Sequence, residues 1–149
     1  MAYISAQDVS AIRTELKQAF PGWKFAVRKG SGSLSVDVTV LQGDIDFIEA
    51  YCAKGVDARE AEYARKDRAL QINQYWISDH WGHAPAACDA LTRINEIMHN
   101  APGRAGGKVF FDESDAMTDY FHTAFYTHLS VGAWNKPYAF AQPALKKAA

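Results

Sequence analysis

The chain has 149 residues, 16 of them basic and 17 acidic, for a formal net charge of −1, and 48% of its residues are apolar. This is the composition of one ordinary globular domain: no apolar run approaches the roughly 20 residues of a membrane helix, and Met1-Ala2-Tyr3-Ile4-Ser5 lacks the basic-then-apolar pattern of a secretory signal. A cytoplasmic protein with no membrane contact is expected, and the near-zero charge argues against strong sequence-independent attachment to nucleic acid.

Ser5 followed by Asp8 reads as a capping box, with Ile4 and Val9 at the positions of a hydrophobic staple, so a helix is predicted from about Ala6. Val9, Ile12, Leu16, Ala19 and Phe20 recur at helical spacing until Pro21-Gly22 stops the pattern. Trp23, Phe25 and Val27 then alternate with Lys24, Ala26 and Arg28. After the short linker Lys29-Gly30-Ser31-Gly32-Ser33, Leu34, Val36, Val38 and Val40 alternate with Ser35, Asp37 and Thr39. Two strands with one buried face each are predicted, joined as an antiparallel hairpin. Gly43-Asp44 is read as the start of a second helix carrying Ile45, Phe47, Ile48, Tyr51 and Cys52.

Residues 54–68 carry nine charges in fifteen positions and read as a solvated helix or connector. Residues 69–77 return to strand character, with Leu70, Ile72 and Trp76 on one side and Gln71, Asn73 and Tyr75 on the other. A third helix is predicted over 85–99, since Pro85 suits a first turn and Ala87, Leu91, Ile94 and Met98 share a face; Asn100-Ala101-Pro102-Gly103 should end it. Lys108-Val109-Phe110-Phe111 reads as a short strand. From 119 to 131 a long alternation sets Phe121, Phe125, Leu129 and Val131 against Tyr120, His122, Tyr126, His128 and Ser130, and residues 141–149 read as a frayed tail. The predicted fold is a single α+β domain over 3–140, with a largely antiparallel sheet of four to five strands and about three helices packed on one face.

Catalytic and metal chemistry finds little support. Cys52 and Cys88 lie far apart in apolar helical patterns, which excludes a disulfide framework or a zinc finger as the basis of stability. His122 and His128, six residues apart on a strand, would be roughly 20 Å from one another, too far for one metal ion. His80 and His83 are the weak metal candidates, with a turn of hydrogen-bonding histidines as the simpler account. His99 reads as a residue near a helix C-terminus. No G-x-S-x-G, H-E-x-x-H or Walker lysine loop occurs, and Gly30-Ser31-Gly32-Ser33 lies between strands and not at a helix start. Asp112, Glu113, Asp115 and Asp119 lack the spacing of a calcium loop. No catalytic residue and no cofactor are assigned. One signal remains: Lys24, Arg28, Tyr75, Tyr120, His122, Tyr126 and His128 would decorate the sheet face opposite the helices, a surface suited to a protein contact or, alternatively, to stacking bases and contacting phosphates.

The segments Tyr3-Ile4-Ser5-Ala6-Gln7-Asp8, Ala19-Phe20-Pro21-Gly22-Trp23-Lys24-Phe25 and Leu34-Ser35-Val36-Asp37-Val38 resemble the start of a large polyvalent protein-associated domain. Ile72-Asn73-Gln74-Tyr75-Trp76-Ile77, Met117-Thr118-Asp119-Tyr120-Phe121 and Gly132-Ala133-Trp134-Asn135-Lys136-Pro137-Tyr138 are similar to the C-terminal half of that family. The resemblance implies a phage, plasmid or conjugative-element setting inside a host cell, and it carries over no catalytic residue. The expectation is a non-enzymatic accessory protein with a host or mobile-element protein as partner, possible roles being counter-defence or establishment of the element. A nucleic-acid-binding module is the alternative, and a metal-dependent enzyme using His80 and His83 a weaker one.

Overall fold

A computed structural model describes residues 2–114, 123–133 and 135–140. Within them the chain order is α1 (Ala6–Ala19), β1 (Lys24–Lys29), β2 (Ser35–Gly43), α2 (Phe47–Ala53), α3 (Ala58–Asp67), β3 (Leu70–Ile72), α4 (Ile77–Trp81), α5 (Pro85–Arg104), β4 (Tyr126–Val131) and β5 (Ala139–Phe140). The fold is α+β, as expected, but its sheet is mixed and its described helices number five.

The strands run in the order β1-β2-β4-β3, with β5 beside the end of β2. The β1–β2 hairpin is antiparallel, as the short Gly-Ser linker requires, whereas β2 pairs with both β4 and β5 in parallel. Parallel neighbours need a long crossover, and the connection from β2 to β4 runs through α2, α3, β3, α4 and α5. Clean alternation of apolar and polar residues is the usual mark of antiparallel sheets because parallel ones are normally covered on both faces. Here β2 and β4 alternate because, among the described residues, one face is left open, and that pattern carries no information about strand direction.

The covered face is formed by Val27, Val36, Val38, Val40, Leu129 and Val131, all buried. Against it pack Val9, Ile12 and Leu16 of α1 and Leu91, Ile94 and Met98 of α5. Helix α1 starts where its cap predicts: the Ser5 hydroxyl accepts from the Asp8 N–H at 3.1 Å, and the Asp8 carboxylate accepts from the Ser5 N–H at 3.1 Å. Asp8 also accepts the Lys108 N–H at 3.1 Å, so one buried carboxylate joins the start of α1 to the loop after α5. Burial alone would raise its pKa, but these N–H donors and the Ser5 hydroxyl outweigh it and hold the carboxyl below its ordinary value.

Four local expectations are corrected. The strand predicted over 69–77 ends at Ile72, because the Asn73 side chain accepts the Tyr75 N–H and turns Gln74–Trp76 into a 3-10 helix that leads into α4. Helix α2 starts at Phe47, not at Gly43-Asp44, because β2 runs on to Gly43 and Asp46 supplies the cap. Helix α5 continues through Pro102 to Arg104, where Ala101 and Pro102 are buried and Arg104 forks between Glu15 of α1 and Glu96. Residues 108–111 form no strand; the flanking contact is an isolated bridge between Asp112 and Thr123. The described part of the strand predicted over 119–131 is β4; Tyr120, Phe121 and His122 lie outside the described residues, as do 141–149.

With α5 extended, His99 is not in a last turn. Its Nδ1 donates to the Asn95 carbonyl at 2.8 Å, its Nε2 accepts from the Thr127 hydroxyl at 3.2 Å, and its ring contacts Phe110. Thr127 in turn accepts from the Gln74 amide, which also reaches the Thr127 carbonyl at 2.8 Å. Burial pushes the His99 pKa below 6.5, against smaller opposing pulls from the Asn95 carbonyl, Asp112 and Glu96. Below pH 6.5 the unfolded chain therefore binds the proton more readily than the folded one, so stability falls as pH drops through that window. The urea midpoint of the wild type should decline between about pH 7.5 and about pH 5 more than that of His99→Gln; equal declines would contradict the assignment.

Candidate interaction surface

The open face is built by the strand registers. Arg28 of β1, Asp37 of β2 and His128 of β4 are consecutive partners across the sheet and form one row. The adjacent row is Ala26, Thr39, Ser130 and Gln71, the last from β3. On the other side of the charged row, Ser35 is paired with Tyr126. These positions share a face because successive side chains on a strand point to opposite sides and the neighbours are in register.

Chemical links join the rows. His128 Nδ1 lies 2.8 Å from Asp37 Oδ1; since a carboxylate only accepts, this bond places a proton on Nδ1 and leaves Nε2 directed away from the carboxylate. Both side chains remain about half exposed. The hydroxyls of Thr39 and Ser130 are 3.1 Å apart. A depression of about 590 Å³ runs over Asp37, Thr39, Gln71, His128 and Ser130. A neighbouring one of about 490 Å³ continues along the edge of β4 past His128 to Gln74 and Tyr75.

Among the sequence-predicted residues, Arg28, Tyr126 and His128 are brought together as exposed groups on this face. Tyr75 is not on a strand; it stands 75% exposed on the 3-10 helix and lines the depression next to His128. Lys24 is exposed but separated from the row by the irregularity between Lys24 and Phe25. Tyr120 and His122 are outside the described residues. Asp37, which is not among the sequence-predicted site residues, holds His128; its alternation with Val36 and Val38 places it on this face, but its neighbour on β4 depends on the parallel pairing.

The rim is apolar at one end. Tyr126 donates its backbone N–H to Leu34, and Tyr3 donates its own to Ala124, two residues before Tyr126. Tyr3, Leu34 and Tyr126 are all exposed, with Tyr75 and Trp76 also exposed at the β3 side. Exposed aromatics grouped at the edge of a polar face are the composition expected of a contact surface.

The two metal candidates sit elsewhere. His80 is half-buried on α4, and His83, in the turn that follows, has Nε2 2.7 Å from the Ala50 carbonyl, a bond that ties this turn to α2. Among the described residues no group of three His, Cys, Asp or Glu side chains is arranged to hold a metal ion. No described helix is long and apolar enough to cross a membrane.

Neither curated proteins nor solved structures yield a match to the chain. A family model does match, over residues 4–100, a span that holds α1, the hairpin, α2, α3, β3, α4 and most of α5; β4 lies beyond it and completes the open face. The matched span covers well over half of the chain, and the protein belongs to the family described as large polyvalent protein associated domain 29.

Proposed function

We propose that the protein is a non-enzymatic accessory protein of a phage, prophage or other mobile element, and that it binds a protein partner of the host or of the element through the open sheet face. Family membership supports the setting, with counter-defence or establishment of the element as the process served. The observation that carries the binding role is the face that stands open among the described residues: at its centre Asp37 and His128 hydrogen-bond to one another, and Tyr126, Tyr75 and Leu34 stand exposed near its edge. A carboxylate at the centre and an aromatic rim favour a protein, because a polyanion needs an unbroken cationic track. Nucleic acid is the second reading, favoured by the proximity of Arg28 and His128 to exposed tyrosines.

Tyr126→Ala should weaken retention of the partner by tagged protein about tenfold or more, the effect of losing an aromatic anchor, without moving the unfolding midpoint. Undiminished retention would remove the face from the account. Titration with labelled single- and double-stranded oligonucleotides at low salt separates the readings: micromolar binding that falls steeply with salt selects nucleic acid.

A further inference from the structure

One pocket on the open face is smaller and more enclosed than the depressions beside it. It lies between β1, β2 and the turn that links Ala133 to Lys136, with a volume of about 210 Å³. Arg28 rises from the strand on one side, Lys136 stands on the turn at the other, Thr39, Asp37 and Asn135 complete the polar wall, and Ala26 and Leu41 supply apolar lining. Among the described residues, neither Arg28 nor Lys136 forms an ion pair. Asp37, the carboxylate in the wall, has its hydrogen bond to His128, and the Thr39 hydroxyl is within hydrogen-bond distance of Ser130.

Arg28 and Lys136 face this space with one carboxylate, Asp37, between them, so the lining keeps an excess positive charge that attracts one further anion. The planar guanidinium of Arg28 presents parallel N–H donors with the spacing of a carboxylate, and Lys136 adds a mobile point charge. The volume lies below the roughly 300 Å³ at which small-molecule sites begin, which suits one side chain better than a nucleotide. Asp37 in the wall opposes any second anion, and the opposition grows with the charge brought in, so a single carboxylate is tolerated better than a strand of phosphates.

We propose that this pocket receives the carboxylate of an acidic side chain, Glu or Asp, from the protein partner. The proposal rests on the reading that the partner is a protein and adds the chemistry by which it is recognised. The bound carboxylate accepts from the Arg28 guanidinium and the Lys136 ammonium, while the exposed tyrosines cover apolar surface of the same partner.

The test is a titration of the intact protein, followed by ¹⁵N NMR, with N-acetylglutamate N-methylamide and with the glutamine analogue as control. The expected result is saturable displacement of the Arg28 Nε–H, Thr39 and Lys136 signals by the glutamate compound, about tenfold weaker for the glutamine analogue. Binding should be lost in Arg28→Gln and kept in Lys17→Gln, which alters α1 on the far side of the sheet. Equal response to the two compounds, displacement spread over all exposed Arg and Lys residues, or survival in Arg28→Gln would overturn it, as would tighter binding of a short oligodeoxythymidine at the same signals. Partner retention by Arg28→Gln distinguishes the two levels. If the partner is held as well as by wild type, the carboxylate pocket is wrong and the protein-binding reading stands. If the glutamate compound binds but wild type holds no partner, the pocket stands and that reading fails.

Discussion

Gly132→Ala should destabilise the protein by about 3 kcal/mol or more. Gly132 closes β4 with φ +71°, a left-handed conformation that costs any residue with a Cβ about 1–2 kcal/mol. A Cβ there would also stand 2.1 Å from the Arg68 carbonyl oxygen and 2.8 Å from the Tyr138 N–H nitrogen. Those two atoms are hydrogen-bonded to one another at 2.8 Å, and the Arg68 Nε donates to the Tyr138 carbonyl at 2.8 Å, so the clash falls on the point where α3, β4 and the approach to β5 are tied. Backbone atoms held from both sides have no cheap way to move. Gly22 is the internal control: its φ is +84° and nothing lies within 4 Å of an added Cβ, so Gly22→Ala should cost only the conformational share. Urea unfolding of the two variants measures the difference; equal losses would contradict the packing argument.

Tyr138→Ala should cost about 3–5 kcal/mol, the range for deleting a buried aromatic ring. Tyr138 is 1% exposed, meets Phe47 edge to face with centroids 5.5 Å apart, and donates its hydroxyl to the Ile45 carbonyl. Burial pushes that hydroxyl's pKa well above its ordinary value, with Asp46 and Asp44 adding to the shift, so the group remains a donor throughout the neutral range. Tyr138→Phe keeps the ring and strands the Ile45 carbonyl, for about 1–2 kcal/mol. The ordering Ala worse than Phe, read from unfolding midpoints, is the expected outcome; comparable losses would mean that the hydroxyl and not the ring carries the effect. Tyr138 lies two residues beyond Lys136, so both variants also report on the turn that walls the Arg28 pocket.

Features with short-range causes could be read in the sequence. The Ser5–Asp8 cap and the antiparallel hairpin depend on residues near one another, and each is found where its residues place it. The parallel pairing of β2 with β4 could not be read, because it depends on where the chain returns after some eighty residues of crossover. Pro102 marked a stop that burial of Ala101 and Pro102 overrides, and Asn73 converted the end of a strand-like pattern into a turn. The candidate face shows the same division. Alternation alone set Arg28 on one side of β1 and Tyr126 with His128 on one side of β4, but the Asp37–His128 bond needs the register between distant strands. Lys136 carried no signal, since its place beside Arg28 is set by the turn after Gly132.

If the partner sits on the open face, as proposed, site-specific crosslinking in the host cell will catch it there. A photoreactive residue at position 35, beside Tyr126 in the sheet, should capture one defined partner, and the same residue at position 62, exposed on α3, should capture none. Capture from position 62 with none from position 35 would put the partner on α3 and not on the open face.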